Sequence, residues 1–211
     1  MTDSMRLAEL VCVKLVHDLG GLLGSLAGVL ELVRDTEQIV SEEMELATET
    51  ASELVQRLRY LRAAWGGRSE EMDLVTLRDC IQWMTEARRF AVDLDGVPPH
   101  AVLPSPMARL VLNVILLARE ALPRGGVLEF SGDPTDCLVA RICGPGAAWP
   151  VGLAAYIQDE AHAWAALDHP RDLQAPLTAL VARLEGIKLS FMLPTASGAP
   201  TGAPPLLLTP P

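Results

Sequence analysis

His17 stands among residues suited to phosphoryl chemistry. Lys14 lies just under one helical turn before it and Asp18 follows it directly in "KLVHDLGGLLGSLAG", Lys14 to Gly28. A carboxylate orients an imidazole and raises its basicity. An ammonium offsets the negative charge of a phosphoryl group. The same stretch carries Gly20, Gly21, Gly24 and Gly28, although each glycine inside a helix costs about 1 kcal/mol against alanine. Two readings stand. The histidine sits on a helix whose glycines allow close packing, or small residues clear the ring for a partner's backbone or pocket. A local rule broken without structural gain marks the second.

The elements around His17 follow from periodicity. Cys12, Val16, Leu19, Leu23, Leu26, Leu30 and Val33 recur at spacings of four and three, as do Val40, Met44, Ala47, Ala51, Leu54, Leu58, Leu61 and Trp65. Both are a/d stripes of helices. They predict an antiparallel hairpin over 5–35 and 39–65, joined by the polar "RDTEQ". With Val16 and Leu23 at a, His17 falls at b and faces water, and the glycines fall at b, e and f. Two helices cannot bury both stripes, whereas a four-helix bundle can. No later helix carries such a stripe, so a second copy of the chain is expected to complete a C2 homodimer.

"GGRSEE", 66–71, breaks the pattern and predicts a domain boundary. Beyond it the order is mixed: a helix over 73–89, a strand over 90–96, a helix over 104–122 with Ser105 as N-cap and Pro106 first in the helix. "VLEFSG" and "CLVARICG" read as strands around the turn "DPTD", followed by helices near 151–166 and 172–186 and a last strand "IKLSFMLP". This is a mostly antiparallel sheet with helices on one face, an α+β chain overall. The uncharged "TASGAPTGAPPLLLTPP" holds five prolines and predicts a disordered tail over 195–211.

Composition narrows the function classes. Half of the 211 residues are hydrophobic and the net charge is −10. An acidic chain without a basic tract argues against nucleic acid or an anionic membrane as the main partner. The N-terminus lacks a signal peptide's basic region, and the apolar run near "MARLVLNVILLARE" is too short to span a bilayer, so a cytoplasmic protein is expected. Cys12, Cys80, Cys137 and Cys143 make no CxxC or zinc spacing and read as buried free thiols. His100, His162 and His169 are scattered and read as surface or packing residues, Trp65 and Trp83 as core or interface. "GGLLGS" lacks the Gly-Lys-Ser/Thr ending of a P-loop.

"HDLGGLLGSLAG" on the first helix of such a hairpin resembles the phosphoacceptor box of bacterial sensor kinases, and most closely that of the ChpT-type histidine phosphotransferases. "RYLRAAWG" resembles the end of that family's second helix. "NVILLAREALPRGG", "ARICGPGA" and "LTALVARLEGIKLSFMLP" resemble the N-box, the G1 box and the closing helix and strand of a histidine-kinase ATPase domain. The likeness runs to about residue 194. It implies a helical hairpin over 1–66 that forms a dimeric four-helix bundle, then a Bergerat-like α/β sandwich over 71–194.

The departures from a kinase are specific. Leu117 stands where the N-box would place a magnesium-binding Asn, and Ile142 where the G1 box would place the adenine-binding Asp. "HPRDLQAPL" replaces the glycine-rich phosphate turn. Neither Leu nor Ile coordinates a hard cation or accepts the adenine amino proton. The resemblance therefore implies a phosphorelay protein without ATP or any other cofactor. His17 is the phosphoacceptor nucleophile, Asp18 holds or polarises the ring, and Lys14 stabilises phosphoryl charge. Gly20, Gly21, Gly24 and Leu22, with Leu15, form part of a docking surface. The implied partners are receiver domains of a hybrid histidine kinase and of response regulators, which bring the magnesium. The alternatives are an inhibitory interaction module that never carries phosphate, or a divergent kinase.

Overall fold

The computed structural model describes residues 3–35, 41–66, 70–86, 89–192 and 202–211. Helix α1 (Asp3–Asp35) and helix α2 (Ser41–Trp65) form the expected hairpin and pack along each other. Part of the polar connection and of the "GGRSEE" boundary lies outside the described residues. The two stripes divide their work. Leu19, Leu26 and Val33 at d are half-buried, whereas Val16, Leu23 and Leu30 at a are 73%, 52% and 49% exposed. Met44, Val55 and Leu58 of α2 are exposed as well. One chain thus covers one side of the hairpin and leaves an apolar side open.

Strand β1 (Met72–Asp73) leads into helix α3 (Leu74–Glu86), then strand β2 (Phe90–Gly96), strand β3 (Val102–Leu103) and helix α4 (Ser105–Ala121). Asp73 Oδ1 accepts the Thr76 N–H at 2.7 Å and so satisfies a free donor at the start of α3. Helix α4 begins one residue earlier than its Ser-Pro signal predicts: Pro104 is the flanking residue, and Ser105 is the first helical residue rather than the cap. Strands β4 (Gly126–Asp133) and β5 (Cys137–Cys143) form the expected hairpin. Its turn is closed by Asp133 Oδ1, which accepts the Thr135 N–H at 2.8 Å and hydroxyl at 2.7 Å. Short helices α5 (Leu153–Gln158) and α6 (Glu160–Ala165) precede helix α7 (Gln174–Leu184), strand β6 (Lys188–Phe191) and strand β7 (Leu206–Thr209).

The main sheet has the order β2-β4-β5-β7-β6, with β2–β4 parallel and every other pair antiparallel. Strand β7 overturns the expected disordered tail. Residues 206–209 insert between β5 and β6, and Leu206 and Leu208 are fully buried. The physical reason is period two: alternate residues of "LLLT" point into the core while the backbone pairs on both edges. The prolines at 204–205 and 210–211 flank the strand without interrupting its ladder. Residues 193–201 lie outside the described residues.

Helix α4 is the keel of the second half, with Leu110, Leu112, Val114, Ile115 and Leu117 fully buried. It is bolted to the hairpin by polar contacts that the core would otherwise leave unmet. Tyr60 donates its hydroxyl to the Leu112 carbonyl at 2.6 Å. Asn113 Nδ2 donates to the Ala64 carbonyl at 2.9 Å, and its Oδ1 accepts the Trp65 indole N–H at 3.2 Å. Arg109 reaches the same Ala64 carbonyl at 3.3 Å and pairs with Glu185 at 2.5 Å. The bonds from Asn113 and Arg109 satisfy the Ala64 carbonyl at the C-terminal end of α2, where a helix has no internal partners.

The stretch Met5–Glu31 of α1, and not the run near "MARLVLNVILLARE", is long and apolar enough to cross a membrane by length and composition. Its Leu7, Leu10, Leu15 and Leu19 pack on the core cluster, so α1 is a wall of the folded body. The cysteines correct their expectation: Cys12 is exposed and Cys80, Cys137 and Cys143 are half-buried, all four as free thiols.

Candidate functional site

His17 projects from the outer side of α1, with 83% of its side chain exposed. Its Nδ1 lies 3.2 Å from Asp18 Oδ1. A carboxylate at that nitrogen favours the tautomer with the proton on Nδ1, which leaves Nε2 with a free lone pair. Gly20, Gly21, Gly24 and Gly28 continue along the helix, and a Cβ placed on any of them meets no atom within 4 Å. Among the described residues the glycines therefore face open space rather than a packed neighbour. Leu22 and Leu15 are half-buried, and Leu15 packs on the core.

The charges behind the imidazole come from three helices. Asp18 Oδ2 faces Lys14 Nζ at 4.0 Å, one turn back along α1. Lys14 Nζ also lies 3.7 Å from Glu120 Oε1, in the last turn of α4. From α2, Arg57 donates to the Asp18 backbone carbonyl at 3.2 Å and to Glu53 at 2.7 Å. The Arg57 guanidinium lies 4.7 Å from the centre of the Trp83 ring, with the Arg119 guanidinium 5.7 Å from the same ring. Tyr60 meets Trp83 edge-on at 5.9 Å. Trp83 is thus a spacer between two cations as well as the core residue that its sequence suggested. Burial pushes the Glu120 carboxyl above the usual carboxylate range, and Lys14 partly opposes this.

These groups line a cleft of about 440 Å³ between the hairpin and the second half, with Lys14, His17 and Asp18 on one wall and Trp83, Arg119 and Glu120 on the other. The sequence-predicted triad of Lys14, His17 and Asp18 is therefore brought together. Arg57 and Glu120 were not legible. Nothing marks Arg57 in "VQRLRYLR", and Glu120 is one charge at the end of a long apolar helix. The packing of α2 on α1 gives Arg57 its role, and the docking of α4 on the hairpin gives Glu120 its own.

The positions at which the resemblance to a kinase would place nucleotide-binding residues, 117 and 142, are occupied by core. Leu117 is fully buried in a cluster with Leu153 and Ala175, flanked by Trp149, Tyr156, Ile157 and Phe191. Ile142 is buried in the main core. "HPRDLQAPL" forms a short 3₁₀ turn at Pro170–Asp172 and opens α7, with His169 Nδ1 accepting the Arg171 N–H at 3.1 Å. His162 pairs with Asp159 at 2.8 Å. These two histidines serve local turns and caps, and among the described residues no group of three or more acidic, His or Cys side chains is placed to hold a metal ion.

Comparison with known proteins adds to this geometry. A family model described as histidine phosphotransferase C-terminal domain matches residues 74–196. The chain is 27% identical over 196 residues to protein phosphotransferase ChpT of Brucella abortus (strain 2308), covering 90% of this chain and 91% of that one. The solved structure of a bacterial phosphotransferase overlays with a TM-score of 0.65 at 23% identity, over 99% of this chain and 97% of the other. That last likeness concerns the fold, and it agrees with the α+β architecture described above.

Proposed function

The chain belongs to the histidine phosphotransferase family, and from that premise we propose that His17 is the residue through which it passes phosphoryl groups along a two-component phosphorelay. The observation that carries this is the imidazole itself. It is exposed, its Nδ1 is engaged by Asp18, and its Nε2 is left to solvent on a face that the glycines keep clear.

The chemistry needs little from this chain. The Nε2 lone pair attacks the phosphorus of an aspartyl phosphate on a donor receiver domain. The N–P bond forms as the P–O bond to the donor breaks, and the donor leaves as a carboxylate. The ring becomes a phosphorylated imidazolium whose Nδ1 proton stays on the Asp18 hydrogen bond, so no proton has to move. Asp18 balances the positive ring and Lys14 offsets phosphoryl charge. Attack by an acceptor aspartate reverses the sequence and returns the neutral ring. The receivers, of a hybrid kinase on one side and response regulators on the other, bring the acidic pocket and the magnesium.

Other parts of the reading rest on the same geometry. On this reading the second half, of degenerate Bergerat type over 71–194, works without ATP, which the buried apolar Leu117 and Ile142 at the positions the resemblance assigns to magnesium and adenine ligands support. The open stripe of Val16, Leu23 and Leu30 is the seam of a homodimeric four-helix bundle built from the hairpin over 1–66. Gly20, Gly21, Gly24 and Leu22 belong to the receiver-docking surface. The working compartment is the cytoplasm, where receiver domains are found.

The test is a transfer assay. The protein is mixed with phosphorylated receivers, and acid-labile phosphate is trapped on it. Wild type drains the donor and His17→Ala does not; equal draining by both sinks the assignment.

A further inference from the structure

We infer that Glu120, on α4, is a positioning residue for His17, acting through Lys14 and Asp18. The inference rests on the reading of His17 as phosphoacceptor and extends it to the second half of the chain, which thereby orients the nucleophile as well as supporting it.

The chain of contacts is continuous. His17 Nδ1 lies 3.2 Å from Asp18 Oδ1, Asp18 Oδ2 lies 4.0 Å from Lys14 Nζ, and Lys14 Nζ lies 3.7 Å from Glu120 Oε1. Signs alternate along it, so each group sets how strongly the next is held. Lys14 is the pivot. Its side chain is 17% exposed, so water does little of the work of solvating its charge. Facing Asp18 alone, the ammonium would close on that carboxylate and compete with the imidazole for it. With Glu120 on its other side, Lys14 is shared. It stands at ion-pair distance from Asp18, and Asp18 Oδ1 stays available to the Nδ1 proton. A free lone pair on Nε2 depends on that proton remaining at Nδ1.

The placement of Glu120 is over-determined, as a positioning group requires. It closes the helix whose Leu112 and Asn113 are bonded to Tyr60 and Ala64 of α2. Arg57 of α2 in turn holds the Asp18 carbonyl. The charged groups facing Glu120 are Lys14 and Asp18 on α1 and Asp172 in the 3₁₀ turn. Lys14 is its one cationic partner among them. Glu120 is partly desolvated, which strengthens its hold on that partner.

The experiment compares wild type, Glu120→Gln, Glu120→Asp, Lys14→Met and the double variant Glu120→Gln/Lys14→Met. The first readout needs no receiver: ¹⁵N chemical shifts of the His17 ring in the full-length, unphosphorylated protein. Glu120→Gln shifts the ring toward the tautomer protonated at Nε2, and Glu120→Asp restores part of the wild-type signal. In the Lys14→Met background the Glu120 substitution has no further effect. The second readout is transfer kinetics. Glu120→Gln lowers the rate constant at saturating receiver by roughly tenfold, the scale of one half-buried charge interaction, and leaves KM unchanged. Unchanged ring shifts in a folded Glu120→Gln protein overturn the inference. So does a Glu120→Gln effect that persists in full without Lys14, or one confined to KM or melting temperature. If His17→Ala still transfers, the parent reading falls instead, and the ring shifts still decide whether Glu120 orients His17.

Discussion

At the scale of residues, the glycines of α1 are where the proposed docking face is tested. Each sits inside a helix with open space where a side chain would be. Gly24→Ala is therefore expected to raise the melting temperature, by up to about 1 kcal/mol of added stability. Gly24→Phe starts from the same open Cβ position, yet it raises a wall on the face that carries His17. Transfer from a phosphorylated receiver should survive the alanine and fall at least tenfold with the phenylalanine, while circular dichroism shows both proteins fully helical. Transfer at the wild-type rate by Gly24→Phe would remove clearance as the reason for these glycines.

Among the elements, α3 offers a sign test. Hydrogen bonds from Thr76 hold the Asp73 carboxyl below the usual aspartate range, because they favour its charged form. A depressed folded value stabilises the protein above the unfolded value of about 3.9, and that contribution fades as pH falls through the folded one. Asp73→Asn should thus lower the melting temperature at pH 7 relative to wild type. The gap should narrow once the pH drops below the ordinary aspartate range. A gap that is constant from neutral to acid would mean that charge contributes nothing to this cap. Strand β7 makes the complementary point about elements. Its leucines were visible in the sequence, but the prolines on both sides outweighed them in a compositional reading. Pairing on both edges by β5 and β6 decides the matter, and that pairing involves residues far away in the chain.

For the whole molecule, the open side of the hairpin is where the proposed dimer is tested. Val16, Leu23 and Leu30 are apolar residues held in water by one chain alone. A second copy that covers them would gain the burial of each side chain, about 1.5–3 kcal/mol for a residue buried fully. Sedimentation of wild type at micromolar concentration should give a dimer, and Leu23→Lys should shift it to monomer without loss of helix content. A wild-type monomer would contradict the bundle. The joint between hairpin and second half works within one chain, since Tyr60, Ala64, Leu112 and Asn113 are bonded to each other. Leu23→Lys should therefore leave the His17–Asp18–Lys14–Glu120 line in place.

The sequence alone determined the helical hairpin, the order of the longer elements from α3 to β6, and the closeness of Lys14, His17 and Asp18 on one helix. These depend on local period and on spacing within one helix, and local period survives tertiary context when it runs over many turns. Tertiary structure alone decided three things. It turned the proline-rich end into a strand of the central sheet, brought Arg57 beside Asp18, and set Glu120 against Lys14. Each depends on contacts between residues distant in sequence, where a single charge or a short apolar run carries no signal until the chain has folded around it.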